Sequence, residues 1–356
     1  MDAQGQFTAE LIDGAARAYA SGAVQRQLAR QPDVFSRYGS AGFTDLVGDT
    51  ALRLAYLSEA LATGRGQLLD DQVAWQKVAL IAREIPLECL AVNLECLRDE
   101  LAESLPAAAA PSAVRILDHA RFHLDQSPDV LPSLLLGDHP HLDLTRHYVL
   151  AVLEGRRDDA IELVLRAHAE GVSVAELHEH VLGRAQGEIG RMWQMNEIHV
   201  AEEHFASQIA AQILARLRIV MPRAPANGRR AVCATVGGNL HEIGLQMVAD
   251  HLEMGGWQPI QLGASMPAVD LVHGLRDFAG DLLAISTSIA TQVRATADLI
   301  RFVRQHTASA LPVLVGGPPF RAVPDLWNVV GADGCAADAS SAAVVAARLV
   351  SAAGVD

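Results

Sequence analysis

The sequence predicts a multi-domain protein of α and α/β class: an N-terminal helical domain, a four-helix bundle, and a doubly wound, Rossmann-like (flavodoxin-like) domain at the C-terminal end. Three observations predict it. Apolar residues recur at helical spacing through about residue 221, Pro-rich stretches interrupt that period twice, and beyond the second interruption short apolar runs alternate with amphipathic segments. With 356 residues, half of them apolar, the chain is long enough to bury two or three separate cores.

Residues 1–140 read as the helical domain. Leu54, Leu57, Ala60 and Leu61, and then Val78, Ile81 and Ile85, mark one face of successive helices. Four alanines between Pro106 and Pro111 break the period, and Ser112 is placed to cap a further helix through His119 and His123. Residues 125–140, rich in Pro, Asp and Ser, read as a linker. Residues 141–222 return to the helical period in four blocks. Turn signals at Gly155-Arg156-Arg157-Asp158, Gly171-Val172-Ser173 and Asn196-Glu197 separate them, as in a short antiparallel bundle. The segment 222–230 is a second linker. Within 229–356, apolar runs at 231–236, 257–262, 282–286 and 313–315 alternate with helices expected from Ile243, Ala268, Thr291 and Ala339. Such alternation winds a parallel sheet, whose ligands sit beyond the carboxyl ends of the strands. Chemistry is therefore sought in the loops after Val236, Ser286 and Val315.

Composition narrows the function. A net charge of −14, with no basic helix or arm, repels a phosphate backbone, so direct nucleic-acid binding is not expected. No long uncharged apolar window suggests a membrane span, and the first residues lack the basic-then-apolar pattern of a signal peptide, so a cytoplasmic protein is expected. Cys89, Cys96, Cys233 and Cys335 form no CxxC pair and read as reduced, buried thiols. No triad, phosphate loop or metal dyad for independent catalysis is present, so the chain is not expected to be an enzyme by itself.

Three loops carry the strongest signal. Asn239-Leu240-His241-Glu242-Ile243-Gly244 follows the first strand, Ser286-Thr287-Ser288 the third, and Gly316-Gly317 the fourth. A lone imidazole on an extended loop can present Nε2 to a metal while a side chain two residues back holds Nδ1 and fixes the tautomer. Small residues on the adjoining loops leave a trench for a bulky tail. This resembles the cobalamin-binding motif in which an acid, one residue, His, two residues and Gly are followed by Ser-x-Leu and Gly-Gly. Here 41 residues separate Gly244 from Ser286, and 27 separate Ser288 from Gly316. The resemblance implies a cobalamin with its own base displaced and His241 as the lower cobalt ligand. The chain departs at two positions, Asn239 for the acid and Ser288 for Leu. Neutral Asn239 should make the imidazole a weaker donor than a carboxylate would.

For the upper face, Trp193, nine residues, then Glu203 and His204 resemble the light-sensing cobalamin regulators of the CarH type. The resemblance implies adenosylcobalamin, with Trp193 as an apolar wall and Glu203 and His204 as partners of the adenosyl ribose. In those regulators a histidine directly after the Trp takes the upper face once light has removed the adenosyl group. Gln194 stands there, leaving water, His199 or His204 for that role. The likeness covers roughly the last 215 residues, and the DNA-reading domain of those regulators has no counterpart in the first 140. A helical domain in its place resembles the photocobilins, which hold biliverdin beside the cobalamin. For that chromophore Arg83, Arg98, Arg115, His119 and His123 are available, with Cys89 or Cys96 for covalent attachment; non-covalent binding is expected.

The resulting expectation is a light sensor, a homo-oligomer whose state changes with light and whose downstream partner is open. The first alternative is a corrinoid protein carrying methyl groups between partner methyltransferases. An adenosylcobalamin radical enzyme would need a large substrate barrel that the N-terminal residues do not provide. A passive carrier or an antirepressor would be distinguished only by a partner.

Overall fold

The helical period of the first 131 residues folds, in the computed structural model, into α1 (Ala3–Gly14), α2 (Ala16–Arg30), α3 (Gly42–Thr63), α4 (Gln67–Ile81), α5 (Leu87–Ser104) and α6 (Ala110–Gln126). The structure describes residues 2–34, 42–307, 311–352 and 354, and divides into two units, 1–131 and 132–356. Leu54, Leu57 and Leu61 on α3 and Leu90, Leu94, Leu97 and Leu101 on α5 are buried, the i, i+3, i+4, i+7 stripe that an amphipathic helix turns inward. The α6 start differs from the sequence expectation. Its N-cap is Ala109 with Pro111 in the first turn, and Ser112 lies inside the helix, its hydroxyl donating to the Ala109 carbonyl at 2.9 Å. Proline at the helix start gives up no hydrogen bond, and it sets the boundary ahead of the serine.

This unit also encloses polar groups that the periodicity does not reveal. Arg53, 1% exposed, donates from Nε to Gln76 Oε1 (2.9 Å) and from Nη1 to Asn93 Oδ1 (2.7 Å). Asn93 Nδ2 in turn donates to Gln27 Oε1 (2.8 Å), and Gln27 Nε2 to the Cys89 carbonyl (2.9 Å). Buried Lys77 donates to the Leu124 and Ser127 carbonyls at 3.1 and 2.7 Å, satisfying the open C-terminal end of α6. Cys89, Cys96 and Cys233 are buried and Cys335 is partly buried, and none of the four is in a disulfide.

The second unit begins with a bundle: α7 (Leu142–Leu153), α8 (Arg157–Ala169), α9 spanning 174–194, and α10 (Val200–Val220). Gly155 and Gly171 turn at positive φ (73° and 109°), as does Asn196 (57°), a conformation that glycine and asparagine tolerate best. A capping box starts α9: Ser173 Oγ accepts from Glu176 N and Glu176 Oε2 accepts from Ser173 N. This helix is not uniform, because Leu177–Gly183 forms a π-helical segment.

Five parallel strands follow, β1 (Arg230–Thr235), β2 (Gln258–Gly263), β3 (Leu282–Ser286), β4 (Val313–Gly316) and β5 (Gly334–Ala336), in the order β2-β1-β3-β4-β5. The helices between and after them are α11 (Ile243–Met254), α12 (Ala268–Asp277), α13 (Val293–His306), α14 (Pro318–Ala322), α15 (Leu326–Val329) and α16 (Ala339–Ala352). A 3₁₀ turn over Ala290–Gln292 delays α13 from the expected Thr291 to Val293. The short β5 lies outside the four expected runs; Gly334-Cys335-Ala336 has no branched or aromatic residue to mark it. The architecture is thus a helical N-terminal region followed by a parallel-sheet Rossmann-like domain, with strand order reversing beside β1. Among the described residues no helix is long and apolar enough to cross a membrane.

Candidate functional site

Strand register sets the three signal loops side by side. Thr235 pairs with Ser286, and Ser286 pairs with Gly316, so β1, β3 and β4 release their chains at one edge of the sheet. At that edge Asn239 is completely buried and His241 is exposed. Asn239 Oδ1 accepts from His241 N at 3.0 Å and faces His241 Nδ1 at 3.1 Å. Its Nδ2 donates to the Ser286 carbonyl and to Ser288 Oγ, both at 3.1 Å. The Ser286 carbonyl, which can only accept, fixes which end of the amide is oxygen. Oδ1 therefore meets Nδ1, the proton belongs on Nδ1, and Nε2 keeps its lone pair for a metal. The departure from an acid also gains a physical reason: aspartate would set a carboxylate oxygen against the Ser286 carbonyl, where Asn239 donates.

The loop is held from a direction that the sequence did not reveal. Thr235 Oγ1 donates to the Asn239 carbonyl (2.7 Å) and accepts from Ser265 N (2.8 Å), and Ser265 Oγ accepts from Gly238 N (3.0 Å). Ser265 follows β2, and the carboxyl-end rule applied to every strand would have pointed to its loop. On the other side Thr287 N donates to the Gly316 carbonyl at 3.0 Å. Gly317 has φ 124°, and a Cβ there would stand 2.0 Å from the Thr287 carbonyl oxygen, so no other residue fits this approach. At Gly237, Gly238 and Gly244 a Cβ would meet nothing within 4 Å. Open space around an exposed imidazole, bordered by Ser286, Ser288 and two glycines, fits a cobalt corrinoid, to which His241 Nε2 would offer a nitrogen donor.

The bundle supplies the second set of residues. Half-buried Trp193, near the end of α9, packs on the bundle core, which also takes in Met247 of α11 and Ala339 of α16; Ile243 packs on the same cluster. Residues of α11 and α16 thus help to close the bundle core, while the sheet keeps a core of its own around Cys233, Leu282 and Leu314. Glu203 and His204 come together at the start of α10: His204 Nδ1 lies 2.6 Å from Glu203 Oε2, and Ser207 Oγ donates to Glu203 Oε1 at 3.0 Å. Gln186 Nε2 donates to Ser207 Oγ at 3.2 Å, extending the chain to α9. Gln194 is buried, whereas His199 and His204 are exposed.

Glu188, one turn before Trp193 and unmarked in the sequence, anchors α9. Its carboxylate accepts from Ser133 Oγ (2.8 Å), Leu134 N (2.7 Å) and both Nε and Nη2 of Arg191 (3.0 and 2.9 Å). Burial pushes its pKa up, and the bonds from Arg191, Leu134 and Ser133 outweigh that and hold it below the usual carboxylate range. Residues 133–135 are thereby strapped onto the helix that carries Trp193.

Of the residues considered for a second chromophore, Arg98 is paired with Asp99 (2.7 Å) and Asp118 (3.3 Å), and His119 with Asp70 (3.0 Å). Arg83 donates to the Ala79 carbonyl at 2.9 Å, while Arg115 is exposed and His123 partly buried. Cys89 and Cys96 are fully buried, which closes them to covalent attachment from solvent.

Comparison with known proteins bears on the same regions. Residues 229–347 and 144–218 each match a B12 binding domain family. Dimethylamine corrinoid protein 1 of Methanosarcina acetivorans is 23% identical over 210 residues, 58% of this chain and 96% of that protein. The HTH-type transcriptional repressor CarH of Myxococcus xanthus is 28% identical over 183 residues, 51% of this chain and 60% of the repressor. The monomethylamine corrinoid protein of Methanosarcina barkeri shares the fold, with a TM-score of 0.53 at 21% identity over 59% of this chain and 99% of that one. Residues 144–218 and 229–347 are B12-binding domains, and the cofactor they serve is a cobalamin.

Proposed function

We propose that this chain is a light sensor that uses adenosylcobalamin, with His241 below the cobalt and the bundle covering the upper face. The observation that carries the reading is the set on α9 and α10: Trp193 as a flat wall, and Glu203 with both carboxylate oxygens engaged by Ser207 and His204. A carboxylate held in this way is pre-oriented to accept from ribose hydroxyls. When bound, adenosylcobalamin supplies a cobalt–carbon bond that light cleaves. Trp193 and Glu203 would contact the adenosyl group in this reading, and without it the bundle, held at Glu188 by Ser133, Leu134 and Arg191, would favour a second packing. Oligomeric state of the homo-oligomer is the readout, through a partner still to be found, and the chain is not itself an enzyme. Biliverdin is the second chromophore of this reading, held non-covalently in the helical unit.

The relatives favour a second reading, corrinoid methyl carriage between partner methyltransferases. Dimethylamine corrinoid proteins match over nearly their whole length and the CarH repressor over a smaller share of its own, so kinship speaks more strongly for carriage than for sensing. Against it stands Trp193, whose bulk, if it covers the cofactor as the first reading has it, would narrow the access that a small methyl acceptor needs.

One experiment separates them. The full chain is supplied with adenosylcobalamin and biliverdin, and its absorption spectrum and elution volume are recorded in the dark and after green light. Sensing requires a light-driven change in the cobalamin bands together with a shift in size, and a red-absorbing bilin band would add the second chromophore. A light-stable spectrum, with methylcobalamin retained and demethylated by a methyltransferase partner, overturns sensing and establishes carriage.

A further inference from the structure

Away from the His241 loop, a second group of titratable side chains lies where the bundle meets the sheet domain. His178, in the π-helical segment of α9, and Asp250, on α11, are both completely buried, and His251 is nearly so. His178 Nε2 lies 4.0 Å from Asp250 Oδ2, too far for a hydrogen bond, and the His178 and His251 rings stand 5.5 Å apart. Among the described residues eight buried side-chain atoms lack a hydrogen-bond partner, and four of them meet here: both His178 nitrogens, Asp250 Oδ2 and His251 Nε2. Orphaned polar atoms are costly to keep, and π-helical segments concentrate at functional positions, so the cluster calls for an explanation.

The surroundings define the charge balance. From α11 itself, Gln246 Nε2 donates to Asp250 Oδ1 at 2.8 Å, His251 Nδ1 bonds the Met247 carbonyl at 2.9 Å, and Glu253 adds a like charge. From α10, Arg218 Nε lies 3.8 Å from Asp250 Oδ1, and Arg223 of the following segment pairs with Glu253 at 2.7 Å. Asp338, just before α16, interacts electrostatically with His251, and on the π-helical segment Glu179 accepts from Ser340 N. His180, on the same segment, uses its carbonyl to accept from Thr145 of α7.

We infer that His178 and Asp250 form a compensated proton latch between the bundle and α11, in which each group cancels the acid response that the other would impose on docking. Burial, with His251 beside it, pushes His178 down to about 3, so the docked ring stays neutral and takes a proton only when the seam opens. Acid therefore favours opening, by about thirtyfold between pH 7.5 and 5 against an ordinary histidine value in the open state. Burial pushes Asp250 up to about 6 against the opposing bonds and charges of Gln246 and Arg218. The docked carboxyl thus binds its proton more readily than the open one, and acid favours docking by about tenfold over the same range. The two responses have opposite sign and leave a net opening of about threefold. Because α11 begins directly after the His241 loop, the same helix carries the lower-ligand loop at one end and the latch toward the other. Docking that changes only about threefold over this range leaves the cofactor as the main influence on the bundle.

The test compares the full chain, loaded with hydroxocobalamin, with its Asp250→Asn and His178→Leu variants. Hydrogen exchange of residues 174–194 is followed from pH 7.5 to 5 and corrected for the intrinsic pH dependence of exchange. Wild type should change by about threefold, Asp250→Asn should open about thirtyfold toward acid, and His178→Leu should tighten about tenfold. Variants that follow the wild-type profile, or that both shift in one direction, overturn the latch. The readout involves neither light nor methyl transfer, so its failure is separate from failure of either functional reading.

Discussion

Two buried asparagines, one in each unit, are used in opposite ways. Asn93 lies inside the helical unit and spends its amide on Arg53 and Gln27, which are themselves buried. Asn239 is equally buried, yet it spends one end on the Ser286 carbonyl and the other on an imidazole that faces outward. A network closed on itself specifies how helices pack, whereas one that delivers a heteroatom to solvent prepares a site. The difference teaches where substitutions should damage folding and where they should damage ligand binding.

Breaking the closed network should have the largest effect. In Asn93→Leu the Arg53 guanidinium loses the acceptor at 2.7 Å and Gln27 loses its donor, leaving charge and amide buried with fewer partners. We expect a loss of about 3 kcal/mol in the stability of the helical unit, roughly 10 °C in its melting temperature by calorimetry, with the cobalamin spectrum unchanged. A melting temperature within 2 °C or so of wild type would mean that the network is better solvated than its burial implies.

The complementary cut is His241→Ala. Removing Nε2 takes away the metal ligand while leaving Asn239 bonded to Ser286 and Ser288, so the fold should persist. Cobalamin retention should fall about a hundredfold or more, beyond what loss of an outer-shell partner does, and the bands of what remains should shift. Unchanged affinity and spectrum would sink the lower-ligand assignment and leave the exposed imidazole as a solvated loop residue.

These two regions also differ in how legible they were. The sheet domain announced itself because its strands are short apolar runs and its loops carry residues with chemical rather than packing roles; His241, Ser286 and Gly317 stood out against the apolar texture. Thr235, Ser265 and Glu188 did not, since each acts by bonding a backbone amide or carbonyl that only the folded chain brings near. In the helical unit the α3 stripe of Leu54, Leu57 and Leu61 was readable, whereas Ile85, expected on a helical face, falls beyond the end of α4 at Ile81, and Arg53 gave no signal. An arginine on a helix is ordinarily solvated, and only its place on the inward face with Leu46, Thr50 and Leu57 signals burial. The latch residues were silent for the same reason: His178 and Asp250 are ordinary until α9 and α11 meet.

The smallest expected effect sharpens the contrast most, because it asks why asparagine stands at position 239. Asn239→Ala removes both the hold on Nδ1 and the bond to Ser286, and should weaken cobalamin retention about tenfold. Asn239→Asp makes two opposing changes. A carboxylate opposite Nδ1 makes the imidazole a stronger donor to cobalt, but its other oxygen then faces the Ser286 carbonyl at the 3.1 Å now spanned by a hydrogen bond. If the loss at Ser286 governs, the aspartate variant binds more weakly than wild type, and the neutral amide is the residue that this loop geometry requires. Tighter binding by the aspartate variant would show instead that the loop adjusts, and that Asn239 serves to moderate the donor strength of His241 rather than to hold the loop. Parallel titrations of the three proteins with hydroxocobalamin, read from the shift in its absorption bands, decide between these accounts.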